Sequence, residues 1–166
     1  MAIDTLRRAL VFVALCLAQA LVLNHIRLFG CAMPLLYVYF IIVIPRGYPR
    51  WATLVWAFFL GLTIDMFSNI PGVGTASLTF VGLLQPYLLE LFLPREAAPN
   101  LKSSMATLGI AKFVTLALLL TLVHCVFFFT LEMFSFSHLM QWALNVIGST
   151  LLTLILIVSI ETVRKP

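Results

Sequence analysis

Trp56-Ala-Phe-Phe-Leu-Gly61-Leu-Thr-Ile-Asp65-Met-Phe-Ser68-Asn-Ile-Pro71-Gly72-Val-Gly74-Thr-Ala76-Ser-Leu78 reads as two apolar helices joined by a Pro-Gly turn, with one acid at the seam. A carboxylate inside a membrane span is expensive, so it faces protein or water and has a partner. Asp65 lies about 14 residues after Trp51, hence roughly 21 Å along the first helix and near its C-terminal end. That end is the negative pole of the helix dipole, a poor place for an anion. The turn Pro71-Gly72 has the order of a type II turn and feeds a second helix whose free N–H groups attract anions. Two readings of Asp65 follow. It accepts hydrogen bonds from the backbone near Gly72–Thr75 and pins the hairpin, or it serves a ligand, a proton or a partner.

The rest of the chain places this hairpin in lipid. Of 166 residues, 63% are hydrophobic and only 10% charged, and the mean hydropathy is +1.12. A soluble fold with that balance could not cover its core with polar surface. In lipid the backbone must satisfy itself, which leaves helices or a closed barrel. The apolar runs are continuous, without the alternation of barrel strands, and so predict helices. The expectation is an all-α integral membrane protein, one transmembrane domain over 1–166.

The runs are 9–24, 31–45, 51–67, 74–93, 106–131 and 138–160. The second, as a helix, covers about 23 Å of a roughly 30 Å hydrocarbon core. Charge decides whether it spans. With six spans, Arg7, Arg8, Arg46, Arg50, Arg95, Lys102, Lys112, Arg164 and Lys165 share one side and Arg27 alone the other. If the second run stays on one side, seven of those cations change sides. The positive-inside rule selects a six-transmembrane-helix bundle with both termini cytoplasmic. Local thinning or a helix alongside would accommodate the short span. Arg7-Arg8, an apolar run and Ala18-Gln19-Ala20 have the outline of a secretory signal. The run continues through Leu21-Val-Leu23, past that site, and is read as a retained span.

The +4 net charge is scattered at span ends, which points to topology and not to nucleic acid. Tyr48 and Trp51 at the inner interface and Trp142 near the outer one suit headgroup anchors. Cys16, Cys31 and Cys125 form no disulfide framework. The longest polar segment, 94–104, is either a partner contact or a solvated loop carrying topological charges. Glu90 and Lys112 either snorkel or pair across helices. Pro86 predicts a kink, with Gln85 beside it able to satisfy freed backbone groups. Ala14 with Ala18, and Ala57 with Gly61, are small residues four apart that let helices approach.

No catalytic constellation emerges, and the chain is expected to be no enzyme. His25, His124 and His138 lack metal spacing, and neither a phosphate loop nor a nucleophile elbow is present. No cofactor or metal is expected.

The run Gly61-Leu-Thr-Ile-Asp65-Met-Phe-Ser68, then Pro71-Gly72-Val-Gly74-Thr-Ala76-Ser-Leu78, resembles the central signature of the rod shape-determining protein MreD family. Pro34-Leu35-Leu36, the apolar run to Pro45 and the stretch 51–59 also look like it. The motif support covers about residues 30–95, and the remainder agrees in architecture only. The resemblance implies a non-catalytic scaffold in the bacterial inner membrane, supporting cell shape and lateral peptidoglycan synthesis. It implies MreC as partner and, less directly, MreB, a SEDS glycosyltransferase and an elongation-class penicillin-binding protein. A second copy of the chain is left open. Gly61, Asp65, Pro71, Gly72 and Gly74 would be the motif positions, binding a partner or holding the fold.

The family's fold is thought to be similar to the substrate-capturing subunits of energy-coupling-factor vitamin transporters, which supply the alternative function. Their first helix meets the coupling subunit through small residues four apart, a pattern that Ala14 and Ala18 match. A vitamin site needs several polar or aromatic groups converging near the outer face, and the outer loops offer few. A carrier using Asp65 would require paired broken helices or an inverted repeat, and neither is legible.

Overall fold

The computed structural model describes residues 2–164, apart from the side chain of Phe136; Lys165, counted above among the inner charges, lies outside them. In chain order the helices are α1 (Ala2–Leu21), α2 (Val38–Ile42), α3 (Arg50–Ser68), α4 (Val73–Phe92), α5 (Met105–Leu108), α6 (Ile110–Met133) and α7 (Leu139–Arg164). Among the described residues, five helices are long and apolar enough to cross a membrane. The chain therefore has the pattern of an α-helical, multi-pass membrane protein.

Five of the expected runs coincide with α1, α3, α4, α6 and α7 to within a few residues at most ends; α1 starts well before the expected run. The fifth run is interrupted near its start. Gly109 adopts φ +85 and ψ 155, a conformation essentially reserved for glycine, and separates the single turn α5 from α6. α6 is the central helix. Phe113, Leu116, Ala117, Leu120 and Cys125 are buried among α4, α7 and α2, and Phe80 of α4 stacks on Phe127 at 4.1 Å between ring centroids.

The second run departs from the expected helix. Only Val38–Ile42 is α-helical, and the backbone around it makes tighter i→i+3 bonds, such as Tyr39 N–H to Leu36 O and Ile44 N–H to Ile41 O. The segment still runs from one end of the bundle to the other. Asn24, just after α1, donates to Ser68 at the end of α3 (2.6 Å), while Arg8 stacks over Tyr48, just before α3, at 4.1 Å. α1 and α3 are thus parallel, and the chain between them must return through the bundle.

Unwinding lengthens the reach of this run. A helix advances about 1.5 Å per residue and extended chain about 3.3 Å, so a partly unwound run reaches farther than a helix of the same length. Residues 33–42 are buried without exception, Tyr37 and Ile41 completely. Irregular backbone at membrane depth is tolerated only inside protein, and here five long helices and the loop 94–104 enclose it.

Candidate functional site

Asp65 is 3% exposed. Its Oδ1 accepts from Gly74 N–H at 2.8 Å. Its Oδ2 accepts from Gly72 N–H at 3.1 Å, Thr75 N–H at 2.8 Å and Thr75 Oγ1–H at 2.7 Å. The carboxylate of α3 therefore caps the N-terminus of α4 from across the hairpin, where the free N–H groups and the dipole favour an anion. Each surrounding residue makes room for it. α3 ends at Asn69 in the left-handed conformation, φ +55, donating its N–H back to Asp65 O. Gly72 has φ +88 and ψ −16, the values of the glycine position in a type II turn.

Two further glycines are required by contact. A Cβ on Gly61 would lie 2.5 Å from Thr75 Cα and 2.9 Å from Gly74 O. A Cβ on Gly74 would collide with Asp65 Oδ1. Gly61, Asp65, Gly72 and Gly74 are thus brought together into one tight hairpin end, and Pro71 sits exposed on its turn.

A second polar set holds the unwound segment, and the sequence reading missed most of it. Gln19 of α1 donates to Pro34 O (2.8 Å) and accepts from Leu36 N–H (3.0 Å). Ser149 and Thr153 of α7 accept from Met33 N–H and Leu35 N–H, both at 3.0 Å. At the other end Gln85 and Ser103 both donate to Ile44 O, at 3.1 and 3.2 Å. Gln85 therefore serves the neighbouring segment. Glu161 accepts from Tyr39 O–H (2.7 Å) and from Met105 N–H (3.2 Å), and Arg164 donates to the same Tyr39 oxygen (3.1 Å). Tyr37 and His124 Nε2 lie 2.9 Å apart in the core. The missed signal was periodic: Ser149, Thr153, Ile157 and Glu161 recur every four residues and form one buried stripe of α7.

The expected packing residues divide. Ala57 is fully buried and faces Gly82, where an added Cβ would stand 3.2 Å from the Ala57 Cβ. Ala14 is exposed and Ala18 half-buried, so this pair does not mediate an internal helix crossing. Outward-facing α1 positions present Leu6, Leu10, Val13 and Leu17 instead. Glu90 and Lys112 are exposed. The loop 94–104 is docked on the segment before α3, where Arg46 N–H donates to Leu101 O (3.0 Å) and its guanidinium to Ala97 O (2.9 Å). Trp142 is half-buried, its indole N–H donating to Thr130 (3.2 Å).

At the Asn24 end a cavity of about 250 Å³ is lined by Arg27, Cys31, Glu132 and Asn145 among others. Ligand pockets for small organic molecules start near 300 Å³. Among the described residues, no three His, Cys, Asp or Glu side chains come together as a metal site. Compared with protein-family models, curated proteins and solved structures, the chain finds no match in any of the three.

Proposed function

We propose that this chain is a non-catalytic scaffold subunit of the bacterial cell-elongation machinery, similar in role to MreD. It sits in the inner membrane with six passes and both termini cytoplasmic, the unwound segment being the second pass. It binds MreC directly and, through the assembly, engages MreB, a SEDS glycosyltransferase and an elongation-class penicillin-binding protein.

The observation that carries the reading is what the motif builds. Gly61, Asp65, Gly72 and Gly74, four of the five positions of the resemblance, are consumed in closing the α3–α4 hairpin. A carboxylate that already accepts four hydrogen bonds has little capacity left for proton transfer or ligand capture. Gln19, Gln85, Ser149 and Thr153 are likewise engaged with the backbone of the second pass, and Glu161 with its Tyr39 hydroxyl and with Met105 N–H of α5. Such a chain offers partners a rigid surface. The vitamin-capture alternative draws on the polar cavity near Arg27, whose volume falls short of the usual range.

Affinity purification from native membranes in mild detergent, with mass spectrometry of the co-purifying proteins, separates the two. Recovery of MreC with peptidoglycan synthases is expected. Recovery of paired ATPases with a coupling subunit, and no MreC, refutes the scaffold.

A further inference from the structure

The Arg8 end of the bundle carries a groove that the hairpin and the polar scaffold do not use. It lies between α1 and α7, over the unwound segment, and has a volume of about 330 Å³. Val11 and Leu15 form one wall, Ile160 the other, and Phe40 and Val43 the floor. The Ile44 carbonyl beside the floor is already taken by Gln85 and Ser103.

Charge defines one end of this groove. Arg7 and Arg8 of α1, Lys102 of the loop and Arg164 of α7 line it, against one acid, Asp4. These cations come from three separate parts of the chain, so the fold, not a local run, assembles them. Two are oriented by aromatic side chains: Arg8 over the Tyr48 ring and Arg164 on the Tyr39 hydroxyl. An apolar trough leading into a cationic mouth matches one molecule in the surroundings of a membrane helix, a phospholipid with an anionic headgroup. A partner helix would bury the same trough, but a typical apolar helix brings no counter-charge to the arginines.

We propose that this groove is a binding site for an anionic phospholipid, with the headgroup phosphate between Arg7, Lys102 and Arg164 and an acyl chain along Val11, Phe40 and Val43. The inference rests on the membrane reading and not on the elongation partners. A bound lipid here would bridge α1 to the rest of the bundle at the end where the two helices part.

Native mass spectrometry of the full chain, exchanged into detergent with dioleoyl phosphatidylglycerol or dioleoyl phosphatidylcholine, tests it. Retention of the anionic lipid over the zwitterionic one is expected. Each cation near an anionic surface is worth about fivefold, so Arg7→Gln with Arg164→Gln should lower the preference by about 25-fold. Arg95→Gln removes a charge outside the groove and should leave it unchanged. Ala14→Trp, at an exposed position lining the trough, should reduce binding of both lipids. Equal retention of the two lipids in the parent, or an undiminished preference in the double variant, overturns the site. So does displacement of the lipid by excess glycerol 3-phosphate, which would reduce it to an anion site, or a protein helix found in place of lipid in material from native membranes.

Discussion

Replacing Asp65 by Asn tests whether one carboxylate joins α3 to α4. The two oxygens carry unequal loads: Oδ2 accepts three hydrogen bonds and Oδ1 one. An asparagine keeps a single acceptor, which replaces Oδ2 best. Its NH₂ then faces Gly74 N–H across the former 2.8 Å contact, donor against donor. Losing one hydrogen bond to a charged group costs about 1.5–3 kcal/mol. Asp65→Ala removes every acceptor. Gly74 N–H and Thr75 N–H are left buried without it, at about 1–3 kcal/mol each, while the exposed Gly72 is reached by water. The expected order of stability is Asp above Asn above Ala, with about 2–3 kcal/mol lost in the first step and about 3–5 kcal/mol in all. At about 2–4 °C per kcal/mol for a chain of this size, the Asn variant melts about 4–12 °C below the parent. Cys16 and Cys125 are buried and free, so a thiol-reactive fluorophore reports unfolding in detergent once Cys31 is changed to Ser. An Asn variant melting within about 1 °C of the parent, or an Ala variant no less stable than Asn, would refute the argument.

Gly61→Ala forces α3 and α4 apart, since the new methyl meets backbone at Thr75 and Gly74; a loss of about 1–3 kcal/mol or more is expected in the same melt. A parent-like melting point would show that the crossing is looser than described. Thr153→Val leaves Leu35 N–H without its acceptor, and Gln19→Leu leaves Pro34 O and Leu36 N–H unpaired. Both should speed hydrogen exchange around residues 33–37, each lost partner costing about 1–3 kcal/mol. Unchanged exchange there would mean that these side chains do not hold the unwound segment.

Lipid as the solvent, helices as the elements and five of the long runs were legible in the sequence, because hydropathy and run length are local quantities. The need of Asp65 for donors was legible too, because a charge at apolar depth and a Pro-Gly turn seven residues on belong to one short stretch. The unwound course of residues 31–45 was not. Its run is as apolar as the others, and a helix and an unwound chain bury the same side chains. What chooses between them is distance to cross and the supply of partners for freed backbone groups. Those partners, Gln19, Gln85, Ser103, Ser149 and Thr153, are up to 118 residues away in the chain. Read singly they are ordinary polar residues, four in apolar helices and Ser103 in the loop 94–104. Only the packed bundle brings them to the backbone they satisfy, and only it parts α1 from α7 so that Arg7, Lys102 and Arg164 face one groove. Composition determined the medium and the hairpin's chemistry; tertiary contact, which alone can satisfy backbone groups in the absence of water, decided the rest.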